Sequence, residues 1–438
     1  LYIFLATLYA VFTPKWQTPD EPAHFNYIRA IAETGALPVL QRGDYDQAYL
    51  EQIKAARFPP TMPIDAIRYE SYQPPLYYLS ATPVYLVARV LSDQSKDGID
   101  ATVIALRLFS VALGVIVLLV AFRIVREIFP DDDWLALATV GLMATVPQHL
   151  AVSASISNDL AAELVLVLIL WLAIRRAKNT ITNRRFVILG GILYGAALLT
   201  KTTAYVPGAL LLVAAEIAHF RILNHEFRIT NSGKLLMLFA LAALIASPMF
   251  LRGALVYGVA DPLGIARHDA VVIGQPTTAE VIAQRGLARV AFDFFAVTFK
   301  SFWAQFGWMG VLVNDRIYVA LALLCAVALL GFTLYASRII RQRELLTETQ
   351  RWCVGLLIVL LAVAVADYVA YNFKFLQFQG RYLFPALISI AFVLVIGLRE
   401  IVAREYRRVV FALLYVALLA LDLVCLFWFT VPQLRIAN

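Results

Sequence analysis

The stretch 76-LYYLSATPVYLVARVLS-92 decides the fold, because counting it as a membrane span or not sets the side on which every later loop lies. It is long and apolar enough to be mistaken for a span. Its tyrosines and Arg89, however, suit a helix that lies in the membrane interface. The two prolines before it fit the first turn of such a helix, where a backbone N–H would have no partner. We therefore predict an interfacial helix here that does not cross the bilayer.

The composition of the 438 residues indicates a polytopic membrane protein. Hydrophobic residues make up 61%, charged residues 15%, and the mean hydropathy is +0.75, values that exclude an ordinary soluble domain. The net charge of +7 is spread over short basic clusters between apolar runs, a pattern typical of cytoplasmic loops and not of a nucleic-acid surface. Cys325, Cys353 and Cys425 all lie in apolar runs, so the sequence predicts neither a disulfide framework nor a metal-binding cluster.

A bilayer-spanning helix needs about 20 mostly apolar residues, and eleven runs meet this requirement. They are 1–13, 101–122, 134–150, 159–174, 186–200, 203–220, 235–251, 317–337, 353–371, 382–398 and 409–430. The chain opens inside an apolar run, so we expect the first span to begin upstream of Leu1. No cleavable signal peptide is recognisable.

The loops between these runs alternate in charge. Five loops carry 16 Arg and Lys: 123-RIVREIF-129, 175-RRAKNTITNRR-185, 221-RILNHEFR-228, 338-RIIRQR-343 and 399-REIVAREYRR-408. Eleven spans place all five on one side, which we assign to the cytoplasm. The prediction is one membrane domain, 1–438, without a soluble domain. Its parts are a first external loop with juxtamembrane helices at 14–100, core helices at 101–251, a second large external loop at 252–316, and C-terminal helices at 317–438.

The second external loop contains the aromatic stretch 294-FFAVTFKSFWAQFGW-308. Its spacing favours a further interfacial helix that covers the site, although ordinary packing of the aromatic residues is the alternative.

Charged and polar residues at the membrane edge converge on the external face under this topology. They are Asp20 and Glu21 after the first span, Asn158 and Asp159 at the start of the fourth, Lys201 at the end of the fifth, and Arg381 at the start of the tenth. Charges at membrane depth are expensive and usually mark a site. Two kinds of charged side chain that face one another indicate a site in which carboxylates carry out acid–base chemistry and basic side chains hold a bound anion.

Each of these residues also has a structural interpretation. Asp20 and Asp159 each precede a helical run and could cap it. Lys201 could extend to the membrane surface, and Arg381 could be an interfacial anchor. His24, one helical turn after Asp20, could orient the carboxylate, help to bind substrate, or be solvated.

Taken together, five elements in chain order resemble the GT-C class of integral-membrane glycosyltransferases, which use sugars linked to polyprenyl phosphate. The elements are DE at 20–21, QPPLYY at 73–78, SND at 157–159, LTK at 199–201 and GRY at 380–382. The fit is closest to the branch of protein O-mannosyltransferases and lipid A aminoarabinose transferases, and to poorly characterised bacterial relatives. The resemblance implies an all-α, GT-C-like polytopic fold with two juxtamembrane helices in the first external loop.

The resemblance also implies roles for individual residues. Asp20 would be the catalytic carboxylate, with Glu21 beside it. Gln73 stands where the aminoarabinose transferases tend to carry a basic residue; its amide can donate a hydrogen bond to phosphate but adds no charge. The candidates for holding the donor phosphate are Lys201, Arg381, Gln73 and Tyr72. The candidates for substrate-binding or supporting roles are His24, Asn158, Asp159 and Tyr382.

We therefore expect an inverting glycosyltransferase at the external face of a bacterial plasma membrane. It would move a sugar from a polyprenyl-phosphate donor to a hydroxyl of a lipid, glycan or protein acceptor, with a carboxylate as general base. No firm cofactor is implied, although Asp20 and Asp159 could hold a single divalent cation. The alternatives are a transporter or lipid flippase, whose charges would be expected near the bilayer midplane in two related halves, and a non-catalytic GT-C-like scaffold.

Overall fold

Backbone polar groups inside a bilayer must be bonded within the chain, so apolar runs of this length are expected to form helices. The computed structural model describes residues 1–92, 96–223 and 233–436, and each of the eleven predicted runs is helical over most of its length. Part of the basic loop at 221–228 lies outside the described residues. The first ten helices are α1 (Tyr2–Phe12), α2 (Glu21–Thr34), α3 (Gln47–Ala55), α4 (Leu76–Leu91), α5 (Lys96–Ile128), α6 (Asp133–Met143), α7 (Pro147–Ser153), α8 (Asp159–Ala177), α9 (Asn183–Leu198) and α10 (Tyr205–Ile222).

The second part of the chain is also helical, apart from one short ribbon. Its helices are α11 (Gly233–Tyr257), α12 (Ile265–Val271), α13 (Thr278–Arg285), α14 (Leu287–Trp303), α15 (Asp315–Arg341), α16 (Glu348–Asn372), α17 (Leu387–Ile401), α18 (Arg407–Val424) and α19 (Val431–Leu434). The ribbon consists of two antiparallel strands, β1 (Gln305–Phe306) and β2 (Val311–Leu312), with Gln305 opposite Leu312. The chain is thus an all-α polytopic membrane protein.

Within the described ranges, seven helical segments are long and apolar enough to cross a membrane, and eight are if α6 and α7 form one broken span. These two helices are bent by 71°. The bend falls where the sequence analysis expected a single span at 134–150. Pro147 accounts for it, because a proline disfavours the helical conformation of the preceding residue, and Val146 is extended. The count of eleven spans and the sidedness of the loops remain predictions.

Helix α8 lies at the centre of the membrane domain, packed against α5, α9, α10 and α16. Elsewhere, glycines allow close approach of helices: a Cβ on Gly397 of α17 would lie 1.8 Å from the Ala328 carbonyl oxygen of α15. Small residues commonly bring helix backbones together in this way inside membranes. The central helix α8 begins at Asp159, so the packing fixes that carboxylate at one end of the bundle.

The first loop region folds around its own aromatic core. The stretch at 76–92 forms the predicted helix α4, which packs on α2 and α5. The Tyr27 ring of α2 stacks on Tyr78 of α4 with ring centroids 3.7 Å apart. At the start of α4, the Leu76 N–H donates to the Leu199 carbonyl at 2.8 Å. This bond joins the first loop to the turn that carries Lys201.

The aromatic stretch at 294–308 is only partly the helix that the sequence predicts. Helix α14 begins earlier, at Leu287, and ends at Trp303. The residues that follow turn into the β1–β2 ribbon, where Gln305 and Phe306 pair with the second strand.

Candidate active site

The Asp20 carboxylate lies between a phenol and a guanidinium. Its Oδ1 accepts a hydrogen bond from the Tyr69 hydroxyl at 2.8 Å, and its Oδ2 accepts one from Arg381 at 2.5 Å. Asp20 precedes α2 in a left-handed conformation with φ of +67°, and among the described contacts its side chain makes no capping hydrogen bond. Such backbone conformations are costly for non-glycine residues and cluster at functional sites. The carboxylate is therefore not used as a helix cap.

The second carboxylate, Asp159, forms an ion pair with Lys201. Arg381 stands between the two acids, because its Nη1 lies 3.9 Å from Asp159 Oδ2 while its Nη2 contacts Asp20. The four side chains thus form an alternating row of negative and positive charges, Asp20, Arg381, Asp159 and Lys201. Only 10% of the Arg381 side chain and 14% of the Lys201 side chain are exposed. Because so little water reaches these charges, the electrostatic attraction within the network is stronger than between the same pairs on a protein surface.

The row of charges lines a cavity of about 570 Å³. Eight of the ten residues that the sequence analysis selected lie in its wall: Asp20, His24, Tyr72, Gln73, Asp159, Lys201, Arg381 and Tyr382. They come from five separate stretches of chain that are brought together only by the fold. The two selected residues outside the wall are Glu21 and Asn158.

Glu21 faces away from the cavity and is fully buried. Its two carboxylate oxygens accept hydrogen bonds from Nε and Nη2 of Arg107, both at 2.7 Å. The backbone N–H groups of Trp16 and Ile156 also donate to it. Arg107 in turn donates to backbone carbonyls at the end of α1, including that of Thr13 at 2.6 Å. These contacts favour a structural role for Glu21 over the catalytic role that the resemblance implies.

Asn158 supports the cavity wall from behind. Its amide donates to Gln73 Oε1 and to the Thr200 carbonyl, each at 3.4 Å, and the residue is fully buried. Gln73 donates to the Tyr72 hydroxyl at 3.3 Å. The three polar residues therefore link the turn before Lys201 to the proline pair that begins α4.

His24 is not solvated: only 3% of its surface is exposed, which contradicts one of the interpretations left open by the sequence. Its Nδ1 lies 2.8 Å from the Tyr78 hydroxyl, so the imidazole is fixed by a hydrogen bond. Burial lowers the pKa of His24 to about 4 although the Asp20 charge opposes the shift. The ring is therefore neutral at pH 7.

The ionisation of Asp20 follows from the same surroundings. Burial raises the pKa of its carboxyl, but the positive charge of Arg381 and the hydrogen bonds from Arg381 and Tyr69 outweigh burial, so the net shift is downward. Asp20 is thus an ionised carboxylate of reduced proton affinity.

The sequence analysis missed Glu70, which lines the same cavity. Its Oε2 is buried and has no hydrogen-bond partner among the described residues. Burial raises the pKa of Glu70 to about 7, and the Asp20 charge adds to the shift. The sequence offered one signal for it, because Glu70 is the acid in 69-YESYQPP-75 and lies three positions before Gln73.

The single divalent cation considered from the sequence stays a prediction. In the described part of the chain, no three His, Cys, Asp or Glu side chains come together as metal ligands. Asp20 and Asp159, the two acids considered for such an ion, each face a cationic side chain. A divalent ion would have to displace Arg381 or Lys201 from these carboxylates.

Comparison with known proteins places the chain by its fold. The structure matches that of ArnT from Cupriavidus metallidurans bound to undecaprenyl phosphate, with a TM-score of 0.53, 12% sequence identity, and coverage of 95% of this chain and 62% of that chain. The apo ArnT structure from the same organism matches with a TM-score of 0.52 and 14% identity, over 92% of this chain and 59% of that chain. At this level of identity, the likeness shows that the chain shares the fold of the ArnT structures.

The model of one protein family matches residues 99–251 of the chain; its description is dolichyl-phosphate-mannose-protein mannosyltransferase. No curated protein matches the chain. The family match includes Asp159 and Lys201, while Asp20, Glu70 and Arg381 lie outside it. The chain also spans less than two thirds of the length of the ArnT chain.

Proposed function

We propose that this protein is an inverting glycosyltransferase that takes a sugar from a polyprenyl-phosphate donor and transfers it to a hydroxyl group. The observation that carries the proposal is the alternating row of two acids and two bases in one poorly hydrated cavity. The GT-C fold supports it, as does the undecaprenyl phosphate bound to the ArnT structure that this chain resembles. The activity is assigned to the external face of the plasma membrane, in keeping with the charge pattern of the loops.

In the proposed reaction, the acceptor oxygen attacks the anomeric carbon of the sugar and forms a new C–O bond. The bond from that carbon to the donor phosphate oxygen breaks, and its electron pair stays on the phosphate. The acceptor hydroxyl loses its proton to a carboxylate, for which Asp20 is the first candidate. A single displacement of this kind inverts the anomeric centre.

Lys201 and Arg381 are suited to hold the donor phosphate. Both carry donors into the cavity, and charge-assisted hydrogen bonds to phosphate strengthen where water is scarce. In the ligand-free arrangement the same cations contact Asp159 and Asp20. A phosphate that draws Arg381 to itself weakens the Arg381–Asp20 pair and raises the proton affinity of Asp20. Donor binding would thereby activate the base.

The remaining wall of the cavity suits the lipid part of the donor. Val206 and Pro207 of α10 and Ala364 of α16 give it an apolar side. Half of the Val206 surface is exposed, so the cavity borders the outer surface of the bundle there. A polyprenyl chain can enter at that place while its phosphate reaches the cations.

The test is turnover of a labelled polyprenyl-phosphate sugar by the purified protein in detergent, with release of polyprenyl phosphate as the readout. A panel of donors with different sugars, offered with hydroxyl acceptors, is expected to contain one that is consumed. A transporter, a flippase or a non-catalytic scaffold would leave every donor intact. Donors that bind but are never consumed would therefore refute the proposal.

A further inference from the structure

Glu70 lines the same cavity as Asp20 and follows directly after Tyr69, the residue that donates a hydrogen bond to Asp20. The Gln73 N–H donates to the Glu70 carbonyl at 3.0 Å, which closes residues 70–73 into a turn. The neighbouring Tyr69 donates its hydroxyl to Asp20. Glu70 and Asp20 therefore line one cavity from adjoining segments.

Among the carboxylates in the cavity wall, which also include Asp367 of α16, Glu70 alone has a buried oxygen without a hydrogen-bond partner among the described residues. Asp20 and Asp159 are each paired with a cationic side chain, and Glu51, also in the cavity wall, is paired with Lys54. Glu70 has a buried Oε2 that accepts no hydrogen bond from any described residue. A buried oxygen without a donor is costly unless something else satisfies it. A proton on that carboxyl group removes its charge and so lowers the cost.

We propose that Glu70 is the residue on which the proton of the acceptor hydroxyl comes to rest, with Asp20 as the group that first removes it. This inference rests on the proposed function. The acceptor O–H bond breaks as its oxygen bonds to the anomeric carbon, and the proton moves to Asp20 and on to a Glu70 carboxylate oxygen. The bonding electrons of the cleaved C–O bond leave with the phosphate. Glu70 then releases the proton to water before the next turnover.

The electrostatics of the cavity favour movement of the proton in this direction. The pKa of Glu70 is raised to about 7, first by burial and then by the Asp20 charge, against the opposing effects of Lys201, Gln73 and Arg381. The pKa of Asp20 is lowered instead. A proton therefore binds more strongly to Glu70 than to Asp20.

The other titratable groups that face Glu70 do not compete for this role. They are the tyrosines Tyr69, Tyr72, Tyr78, Tyr371 and Tyr382. A phenol is neutral and cannot accept a proton near pH 7, because its ordinary pKa of about 10 keeps it protonated. His24 is neutral and already bonded to Tyr78.

The proposal fixes the pH dependence of kcat. Above pH 7 Glu70 is ionised and can take up the proton, whereas below pH 7 it is already protonated and cannot. We therefore expect kcat to rise with pH through about 7 in the wild type. A site whose only base is Asp20 would instead remain active well below pH 7, because the pKa of Asp20 is lowered.

Glu70→Gln tests the proposal, since the amide keeps the size of the side chain and cannot hold the proton. We expect kcat at pH 8 to fall by about 10²-fold, the lower end of the range for general acid–base groups. The rise of kcat through pH 7 should disappear, and the Kd of the donor should stay unchanged. Glu70→Asp should recover part of the rate together with the pH dependence. Glu33→Gln is the matched control, because Glu33 is exposed on α2 and does not line the cavity.

A second measurement does not depend on turnover. Infrared difference spectra of the wild type between pH 6 and pH 8 should show a protonated carboxyl band that titrates near pH 7 and is absent in Glu70→Gln. An unchanged pH profile of kcat in Glu70→Gln, or an infrared band that persists in that variant, would overturn the role of Glu70 and leave the proposed function standing. A wild-type protein that consumes no donor would overturn both.

Discussion

Arg381 Nη2 lies 2.5 Å from Asp20 Oδ2, so two residues separated by 361 positions form the ion pair at the centre of the cavity. The pair holds together the start of α2 and the turn before α17. It also leaves Asp20 ionised and weakly basic until an anion competes for the guanidinium.

Asp20→Asn is expected to abolish most of the proposed transfer. The amide keeps the shape of the side chain but cannot accept a proton, so kcat should fall by about 10²–10⁴-fold. Because Asp20 does not cap α2, the substitution should not remove a helix cap. The measurement is the rate of labelled-donor consumption. Asp65→Asn is the control, because Asp65 forms an exposed ion pair with Arg29. Wild-type rates in Asp20→Asn would remove Asp20 from the mechanism.

Lys201→Met and Arg381→Met are expected to weaken donor binding. Loss of one charge-assisted contact in a poorly hydrated site costs about 1.5–3 kcal/mol, or roughly ten- to a hundredfold in Kd. Binding of the polyprenyl-phosphate donor to purified variants measures this loss directly. Lys300→Met is the control, because Lys300 is paired with Asp315 and does not line the cavity. The assignment fails if both cavity variants bind the donor as tightly as the control.

Glu21→Gln is expected to harm folding more than chemistry. It breaks a fully buried ion pair and leaves the Arg107 charge without its partner, which typically costs about 3–5 kcal/mol. Thermal unfolding in detergent should show a large loss of stability. The folded fraction should retain transfer activity per molecule, whereas Asp20→Asn should stay folded and lose activity. A stable but inactive Glu21→Gln protein would restore the catalytic role implied by the family resemblance.

Asp422→Leu is expected to stabilise the protein. Asp422 lies in the membrane helix α18, is fully buried, and has no partner for either carboxyl oxygen within the described residues. Replacing an unsatisfied buried polar group with an apolar one should raise the free energy of unfolding by about 1–3 kcal/mol. Asp422→Asn, which remains polar, should show no comparable gain. A less stable or inactive leucine variant would point to a role for the carboxyl group.

The membrane topology is tested by single cysteines in a background from which Cys325, Cys353 and Cys425 have been removed. The charge pattern predicts that a cysteine replacing Arg42 is labelled by a reagent added on the external side, and that a cysteine replacing Thr180 is labelled by one added on the cytoplasmic side. Both positions are exposed in loops. Labelling of both from the same side would show that α4 or another segment has been assigned wrongly.

The helical fold was predictable from the sequence because a bilayer demands long apolar runs. The convergence of Asp20, Asp159, Lys201 and Arg381 was also predictable, since the order of spans brings alternate ends of helices to one face. The break at Val146 was not foreseen, because Pro147 lies inside a run that is otherwise apolar enough for one span.

The partners of individual charges were not predictable. Arg107 lies inside the second apolar run, and its partner Glu21 is 86 positions earlier, so only the packed structure joins them. Adjacent acids at the start of α2 looked equivalent in sequence, yet the backbone turns one toward the cavity and the other into the protein core. Glu70 was overlooked because it lies in a segment without helical or strand periodicity, where burial has no pattern in the sequence.

The contact between Gly380 and helix α14 has a mechanical consequence. The Gly380 N–H donates to Ser301 Oγ at 2.7 Å, and a Cβ at position 380 would lie 2.3 Å from the Phe302 nitrogen. Because there is no space for even a methyl group, the backbones of α14 and of the turn that carries Arg381 are in direct contact. The C-terminal end of α14 thus contacts the turn that carries the guanidinium, while its N-terminal end at Leu287 lies outside the cavity wall. We therefore expect a displacement of α14 to shift Arg381, the cation that holds Asp20.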